Sequence, residues 1–381
     1  MLSINSILNE FSWGEIMTKK ILHLVYSMGC GGLEKVIVNL INASKDYSCE
    51  HIIVTLTPDH ELVSLIDDKV SVYCVDKKLG KDVHCHWRLF KLFRQLRPDV
   101  LNTYNFGTIE YQMVAKIAGI HCGIHSDHGR GGDDSLGKNK RNNAVRRFMS
   151  RFIDVYVVVS KDLYTWVKND VRIKSKQIKI VQNGVALENY AERRNSTTAF
   201  TFCTVGRLDE IKNQTLMIKA YHQALETSPE LLETKLQLVG DGPMREVLKA
   251  LVGRLQLENN VELLGYREDI ANILSMANAF VLSSNYEAMP MTILEAMASH
   301  VPVVTTDVGG IKHFISDQEV SFVESGNEQL LAKKFIDLYL HPENYHTKIK
   351  KAYELVSGNY SLQSMCKTYM NIYEVDTPEK S

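Results

Sequence analysis

The chain has 381 residues and a formal net charge of −1, with 44 Lys and Arg against 45 Asp and Glu. That length suggests two or three domains, and 45% apolar with 23% charged residues is a globular composition rather than a disordered one. Near neutrality excludes a whole-surface field for gripping nucleic acid, while seven cysteines without a CxxC pair argue against a disulfide framework and for reduced thiols in a cytosolic protein.

Residues 1–16 lack the basic region and apolar core of a signal peptide and are expected to be a poorly anchored extension. No run approaches eighteen apolar residues, so no transmembrane helix is expected. Short, continuously apolar strands are predicted at 21–27, 51–57, 99–105, 121–126, 155–160 and 178–184, with a helix over LEKVIVNLINAS after the first. They define a first domain over 17–188. The polar, aperiodic stretch 189–199 reads as a linker and a hinge between the domains. A second series, at 200–206, 235–240, 261–266, 279–284 and 301–306, defines a domain over 200–360. An amphipathic closing helix follows over 361–375, through Leu362, Met365, Tyr369, Ile372 and Tyr373. The predicted class is α/β, with two Rossmann-like doubly wound domains facing across a cleft.

Ligands of open parallel sheets bind beyond the carboxyl ends of the strands, so the residues after each strand matter most. Gly29, Gly31 and Gly32 follow the first strand, and Arg207 and Lys212 follow 200–206. Gly240, Asp241 and Gly242 follow 235–240, Glu287 follows 279–284, and Gly309 and Gly310 follow 301–306. Glycine-rich loops that open helices suit phosphates, through close backbone N–H groups and the positive helix end. Glu34 stands where a dinucleotide fingerprint needs its third glycine, and no P-loop is present. Arg207 and Lys212 could hold a diphosphate, the former as a planar fork and the latter as a point charge. Taken alone they are equally two solvated cations.

Glu287 and Glu295 are the sharpest pair. Pro290 suits the first turn of a helix, which leaves Glu287 in the preceding loop and Glu295 inside the helix. On a wheel, Glu295 lies about 40° beyond Met291, at the edge of an apolar face, and needs donors such as a ligand hydroxyl pair or a structural partner. The histidines of His84-Cys85-His86 and His121, His125 and His128 lack a usual zinc spacing, and no metal site is predicted. His128, before Gly129-Arg130-Gly131-Gly132, could bond a substrate hydroxyl or be a simple loop histidine. Lys138, Lys140, Arg141, Arg146, Arg147 and Arg151 run without an acid through 137–152. This stretch is either a solvated helix face or a dock for anionic lipid headgroups.

Together, EAMPMTILEAMA, TVGRLDEIKNQ, LVGDGP, LLGY, TDVGG, QNGV and the early GGLEK resemble, in order, the blocks of retaining glycosyltransferases of the GT-B fold, family four. The resemblance covers about residues 20–375 and is strongest to bacterial exopolysaccharide, capsule and O-antigen transferases. It implies an acceptor-binding first domain and a nucleotide-sugar-binding second domain. By resemblance, Arg207 and Lys212 hold the diphosphate and Glu295 bonds the ribose hydroxyls. Glu287 and His128 meet the donor sugar, Gly240, Asp241, Gly309 and Gly310 belong to the donor site, and Gly31 and Gly32 lie against phosphates or acceptor. Glu287, His128, Arg207 and Lys212 form the implied catalytic set. The implied donor is a UDP-sugar acting as co-substrate, without cofactor or metal. The implied acceptor is a growing or lipid-linked glycan, and the implied location is cytoplasmic, on the inner face of the plasma membrane. His300 and His313 depart from the family pattern, which often has Gly and Glu at those points; His300 is expected to alter only a helix cap, and His313 puts contacts near the donor in question. Two other readings are a UDP-sugar 2-epimerase-like enzyme, disfavoured by the Arg207, Lys212 and glutamate set, and a catalytically silent transferase-like subunit.

Overall fold

Short β-branched strands separated by amphipathic helices build two parallel sheets in the computed structural model, which describes residues 18–29, 31–66, 70–131, 134, 136–174, 177–190 and 199–374. The expected extension over 1–16, most of the linker over 189–199, and position 375 lie outside the described residues.

The first half comprises β1 (Lys19–Val25), α1 (Gly32–Ala43), β2 (Cys49–Thr55), β3 (Ser71–Cys74), α2 (Val83–Leu96), β4 (Val100–Tyr104), α3 (Tyr111–Ala118), β5 (Cys122–Asp127), α4 (Lys140–Met149), β6 (Val155–Val158), α5 (Lys161–Trp166) and β7 (Ile178–Ile180). Its strands lie in the order β3-β2-β1-β4-β5-β6-β7, all parallel. The second half comprises β8 (Thr201–Val205), α6 (Gln214–Thr227), β9 (Lys235–Val239), α7 (Arg245–Arg254), β10 (Val261–Gly265), α8 (Ile270–Met276), β11 (Ala279–Leu282), α9 (Met291–Ala298), β12 (Val303–Thr306), β13 (Ser321–Val323), α10 (Glu328–Leu340), α11 (His346–Asn359) and α12 (Leu362–Tyr373). Its order is β10-β9-β8-β11-β12-β13, again parallel.

Two strands escape the sequence reading, β3 and β13. Both are sheet edges, of four and three residues, too short to carry a continuous apolar run. The predicted strand 178–184 is shorter than expected. Its last residues leave the sheet to meet the returning chain, where Val185 N–H donates to Tyr360 O at 2.9 Å and Leu362 N–H to Val185 O at 3.0 Å.

Strand order reverses between β1 and β4 and between β8 and β11, so each half has its switch point beside its first strand. Right-handed crossovers place α1 on one face of the first sheet and α2, α3 and α4 on the other. Returning from the second half, α12 covers the α1 face and buries Met365, Tyr369, Met370 and Tyr373 there. Asn102 Nδ2 donates to the Tyr373 hydroxyl at 2.7 Å and to the Tyr104 hydroxyl at 3.0 Å. From Tyr104 a buried polar chain continues. Its hydroxyl lies 2.7 Å from His23 Nδ1, His23 Nε2 lies 2.8 Å from His51 Nδ1, and His51 Nε2 lies 2.7 Å from Ser44 Oγ.

Candidate functional site

Both switch points open into a single cavity of about 810 Å³ between the two halves. The first half supplies Gly31, Gly32, Glu34, Lys35, Asn105, His128 and Arg130 to its lining. The second half supplies Arg207, Lys212, Gly240, Asp241, Glu287 and Glu295. Nine of the eleven residues that the family resemblance assigns to the site thus meet in one place. Gly309 and Gly310 stand behind the wall. Gly310 N–H donates to Glu287 O at 2.7 Å, and Gly309 has φ +56°, where a β-carbon would press on the Glu287 backbone. They shape the loop that carries Glu287.

The turn after β8 is held by its own side chains. Asp209 Oδ1 accepts from Ile211 N at 3.0 Å and Lys212 N at 2.9 Å, and Asn213, at φ +50°, caps α6 by accepting from Leu216 N. This fold of the turn sends Lys212 toward the loop after β11, where Nζ lies 2.5 Å from Glu287 Oε1. Ser284 Oγ donates to the same oxygen at 2.6 Å. The Arg207 guanidinium is exposed at the cavity and makes no hydrogen bond or ion pair among the described residues. Gly240, at φ +129°, lets the turn after β9 pass against the Gly206 backbone.

Pro290 caps α9 rather than entering it, with φ −71° and ψ 124°, and the helix starts at Met291. Asn183 Nδ2 donates to Met289 O at 3.0 Å and ties this entry to the crossing segment. Glu295 is more deeply buried than its wheel position suggests, at 1% exposure. Its carboxylate is met from the opposite half by Lys35, with Nζ 2.5 Å from Oε1. Lys35 Nζ also donates to the Tyr190 hydroxyl at 3.4 Å, and burial together with the Glu295 charge pushes that phenol up.

His128 follows β5 directly, at the cavity wall. Its backbone N–H donates to Asn105 Oδ1 at 2.8 Å, and its buried Nε2 has no partner among the described residues. Burial pushes the imidazole down to about 4, so it is neutral at pH 7. Behind it lies Asp127, fully buried. Burial alone would raise that carboxyl, but Arg146, His125 and Tyr156 hold it below the usual carboxylate range. The Tyr156 hydroxyl donates to Asp127 Oδ2 at 2.5 Å, and Arg146 Nε donates at 3.3 Å. Arg146 is therefore no part of the expected basic surface. It turns inward, wholly buried, over the Phe106 and Trp166 rings. A salt bridge in place of solvent explains how so large a cation sits there.

Arg130 Nη2 donates to both carboxylate oxygens of Asp162 at 2.8 Å, and its guanidinium lies 5.1 Å from the Tyr286 ring centre. Tyr286 belongs to the second half, next to Glu287, and its hydroxyl donates to Asp162 at 3.4 Å. Sequence reasoning gives Arg130, Tyr286, Glu34 and Lys35 no role of their own at the site. A signal for the last two existed: an acid and a cation one turn into a helix that opens at two glycines. Burial, aided by Asp59, pushes the Glu34 carboxyl up to about 7 against the opposing pull of its own backbone N–H and Arg207.

His300 sits at φ +56° just past α9, the left-handed position that glycine favours, and its ring stacks on Tyr353 at 4.1 Å. His313 is exposed and stands apart from the cavity lining. No metal-ligating group of three His, Cys, Asp or Glu side chains forms among the described residues. No described helix is long and apolar enough to cross a membrane.

Comparison with known proteins gives this geometry its context. Residues 30–189 match the family model "Glycosyltransferase Family 4" and residues 188–355 match "Glycosyl transferases group 1". The chain is 27% identical over 290 residues to the UDP-Gal:alpha-D-GlcNAc-diphosphoundecaprenol alpha-1,3-galactosyltransferase of Escherichia coli, spanning 70% of this chain and 74% of that one. It is 29% identical over 226 residues to an N-acetylgalactosaminyltransferase of Campylobacter jejuni that acts on a diphospho-undecaprenol-linked acceptor, spanning 57% and 59%. A crystal structure of Anabaena HepE in complex with UDP and glucose superposes with a TM-score of 0.80 at 19% identity, covering 93% of this chain and 99% of that one. With both halves matched in order, and the two switch points facing one cavity, the chain belongs to the family 4, group 1 glycosyltransferases and has the GT-B fold.

Proposed function

We propose that this protein moves a sugar from a UDP-sugar to a growing or lipid-linked glycan, with retention at the anomeric carbon, in surface polysaccharide synthesis. One observation carries the reading: Arg207, Lys212, Glu287 and Glu295 line one side of a cavity whose other side is the Gly31–Gly32 helix start and His128. Arg207, a planar fork exposed at the cavity, and Lys212 receive the diphosphate. The N-terminal end of α1 adds its dipole from across the cavity. Glu295 accepts the ribose hydroxyls. Neutral His128 offers Nε2 to a sugar hydroxyl, which meets an otherwise unmade hydrogen bond. As the bond between the anomeric carbon and the diphosphate oxygen breaks, Arg207 and Lys212 stabilise the growing charge. The acceptor oxygen bonds to the same face, and its proton passes to the departing phosphate. Domain closure turns on the paired crossings at 183–190 and 360–362.

The choice of UDP is supported by the names of the E. coli relative and the HepE complexes. An acceptor carried on lipid is supported by the two bacterial relatives. Lys138, Lys140, Arg141 and Arg151 are exposed on and around α4, beside exposed Val145 and Phe148, which suits contact between 138–151 and an anionic membrane.

The test is thermal unfolding against UDP-, GDP-, ADP- and TDP-sugars with chelator present, followed by transfer to undecaprenyl-linked glycans. Saturation at 100 times the dissociation constant adds about 2.7 kcal/mol, several degrees for domains of this size. A shift with UDP-sugars that disappears in Lys212→Ala, together with glycan transfer, is expected. No shift with any donor, or sugar turnover without transfer, overturns the proposal.

A further inference from the structure

The face of the first sheet opposite α1 carries side chains that sugar transfer does not use. Val83, Trp87 and Lys91 repeat every four residues along α2, a single stripe pointing away from the sheet. Val83 is 77% exposed, Trp87 57%, and Leu79, in the loop just before, 99%. Trp87 lies flat on Phe90, with ring centres 5.4 Å apart, and Lys91 Nζ sits 5.3 Å from the indole centre. One exposed apolar residue is ordinary; three in a row on one edge are not.

Charge separates the same way. Residues 77–97 hold seven Lys and Arg and a single acid in a chain that is nearly neutral overall. That acid, Asp82, is turned inward, where it accepts from Cys85 N at 3.1 Å and pairs with Arg88 at 2.8 Å. Lys78, Lys81, Lys91 and Arg94 remain exposed, with Asp76 and Glu110 only at the border. Exposed apolar bodies, an indole and ungrouped cations on one amphipathic helix match the boundary of an anionic bilayer. A 14-residue helix is too short to span that bilayer and would lie in its plane.

We propose that α2 and the loop before it dock the protein on anionic phospholipid, with Leu79, Val83 and Trp87 at the boundary of headgroups and acyl chains and Lys78, Lys81 and Lys91 against the headgroups. The loop follows β3, so it lies at the same carboxyl edge of the sheet as the cavity, and an acceptor held in the bilayer approaches the cavity from that side. This deepens the lipid-linked acceptor reading and borrows only its purpose from it; the docking stands on the side chains themselves.

The experiment is flotation of the full chain with vesicles of phosphatidylcholine alone and of phosphatidylcholine with phosphatidylglycerol. The intact protein should float with the anionic vesicles, and Leu79→Ser/Val83→Ser/Trp87→Ser should weaken that binding by about tenfold or more. In a Trp13→Phe background, the anionic vesicles should blue-shift the emission, and Trp87→Phe should remove the shift while buried Trp166 stays silent. Melting temperature and transfer to a short soluble acceptor should be unchanged in the triple variant, since none of its positions lines the cavity. Three results overturn the docking: undiminished flotation of the triple variant; vesicle binding abolished only by Lys138→Gln/Lys140→Gln/Arg141→Gln; or a dimer that the triple variant splits, without vesicle binding. Absence of transfer to any acceptor in all these proteins would instead count against the transferase reading and leave the docking result standing.

Discussion

Lys35 on the first turn of α1 and Glu295 in the middle of α9 meet across the cavity, Nζ to Oε1 at 2.5 Å. The glutamate side chain is 2% exposed and the lysine side chain 32%. The same carboxylate is the proposed ribose partner, so a donor must share it with Lys35 or displace it.

Removing one member of this pair should cost more than removing both. Lys35→Met strands a buried carboxylate and should destabilise by about 1–3 kcal/mol, less than a fully buried pair because the lysine is partly solvated. Lys35→Met/Glu295→Gln should recover most of that loss. Denaturant titration of the four proteins reads the coupling, and simple additivity would show that the pair contributes nothing.

Lys212 and Glu287 form the second close pair, at 2.5 Å. Lys212→Ala and Glu295→Ala should each lower transfer by about a hundredfold or more, as loss of a preorganised charge does, with the fold intact. Steady-state rates and circular dichroism check this together. Near-normal turnover in both variants would sink the site assignment.

Glu34 gives donor affinity a pH dependence. With its carboxyl at about 7, the group gains negative charge as pH rises through neutrality, facing the proposed diphosphate site. UDP binding should weaken between about pH 6 and 8, and Glu34→Gln should bind more tightly at the upper end with a flatter profile. Calorimetric titration of both proteins across that range decides it; parallel profiles would clear Glu34 of any part.

The buried histidine chain makes stability fall in acid. His51 is held down at about 4 by burial, and His23 is lowered by burial and by His51. The unfolded chain takes up protons below about 6.5 while the folded chain does not, so stability declines as pH falls below about 6.5; the His51 contribution is lost by about pH 4, and His23 acts in the same direction. The His51 share is on the order of 3 kcal/mol. Thermal melts of the intact protein and His51→Gln should converge at low pH; an unchanged pH slope in the variant would remove His51 as the cause.

The strand-end residues are legible in the sequence because a parallel sheet leaves little choice: residues just past a strand at a switch point face the cleft. That logic finds Arg207, Lys212 and Glu287, while Glu295 is read instead from its place at the edge of the apolar face of the helix that follows. It misses Lys35, whose partner is 260 positions away in sequence and on the other sheet. Arg146 escapes for a related reason. Its run of cations looks solvated, and only the fold reveals the buried Asp127 that draws one of them inward. His300 shows the opposite case. The expectation of a helix cap where family members often have glycine is readable, but the ring that stacks against it, Tyr353, belongs to a distant helix.

The return of α12 to the α1 face has a consequence for synthesis. Tyr369 and Tyr373 complete the interior of a domain whose first strand is made some 350 residues earlier, and Lys19 Nζ donates to the backbone oxygen of Glu374. The ribosome therefore releases this piece of the first domain only after the whole second domain. That domain must wait with one flank uncovered while the second assembles, and a chain cut short before residue 361 would leave it permanently open to self-association.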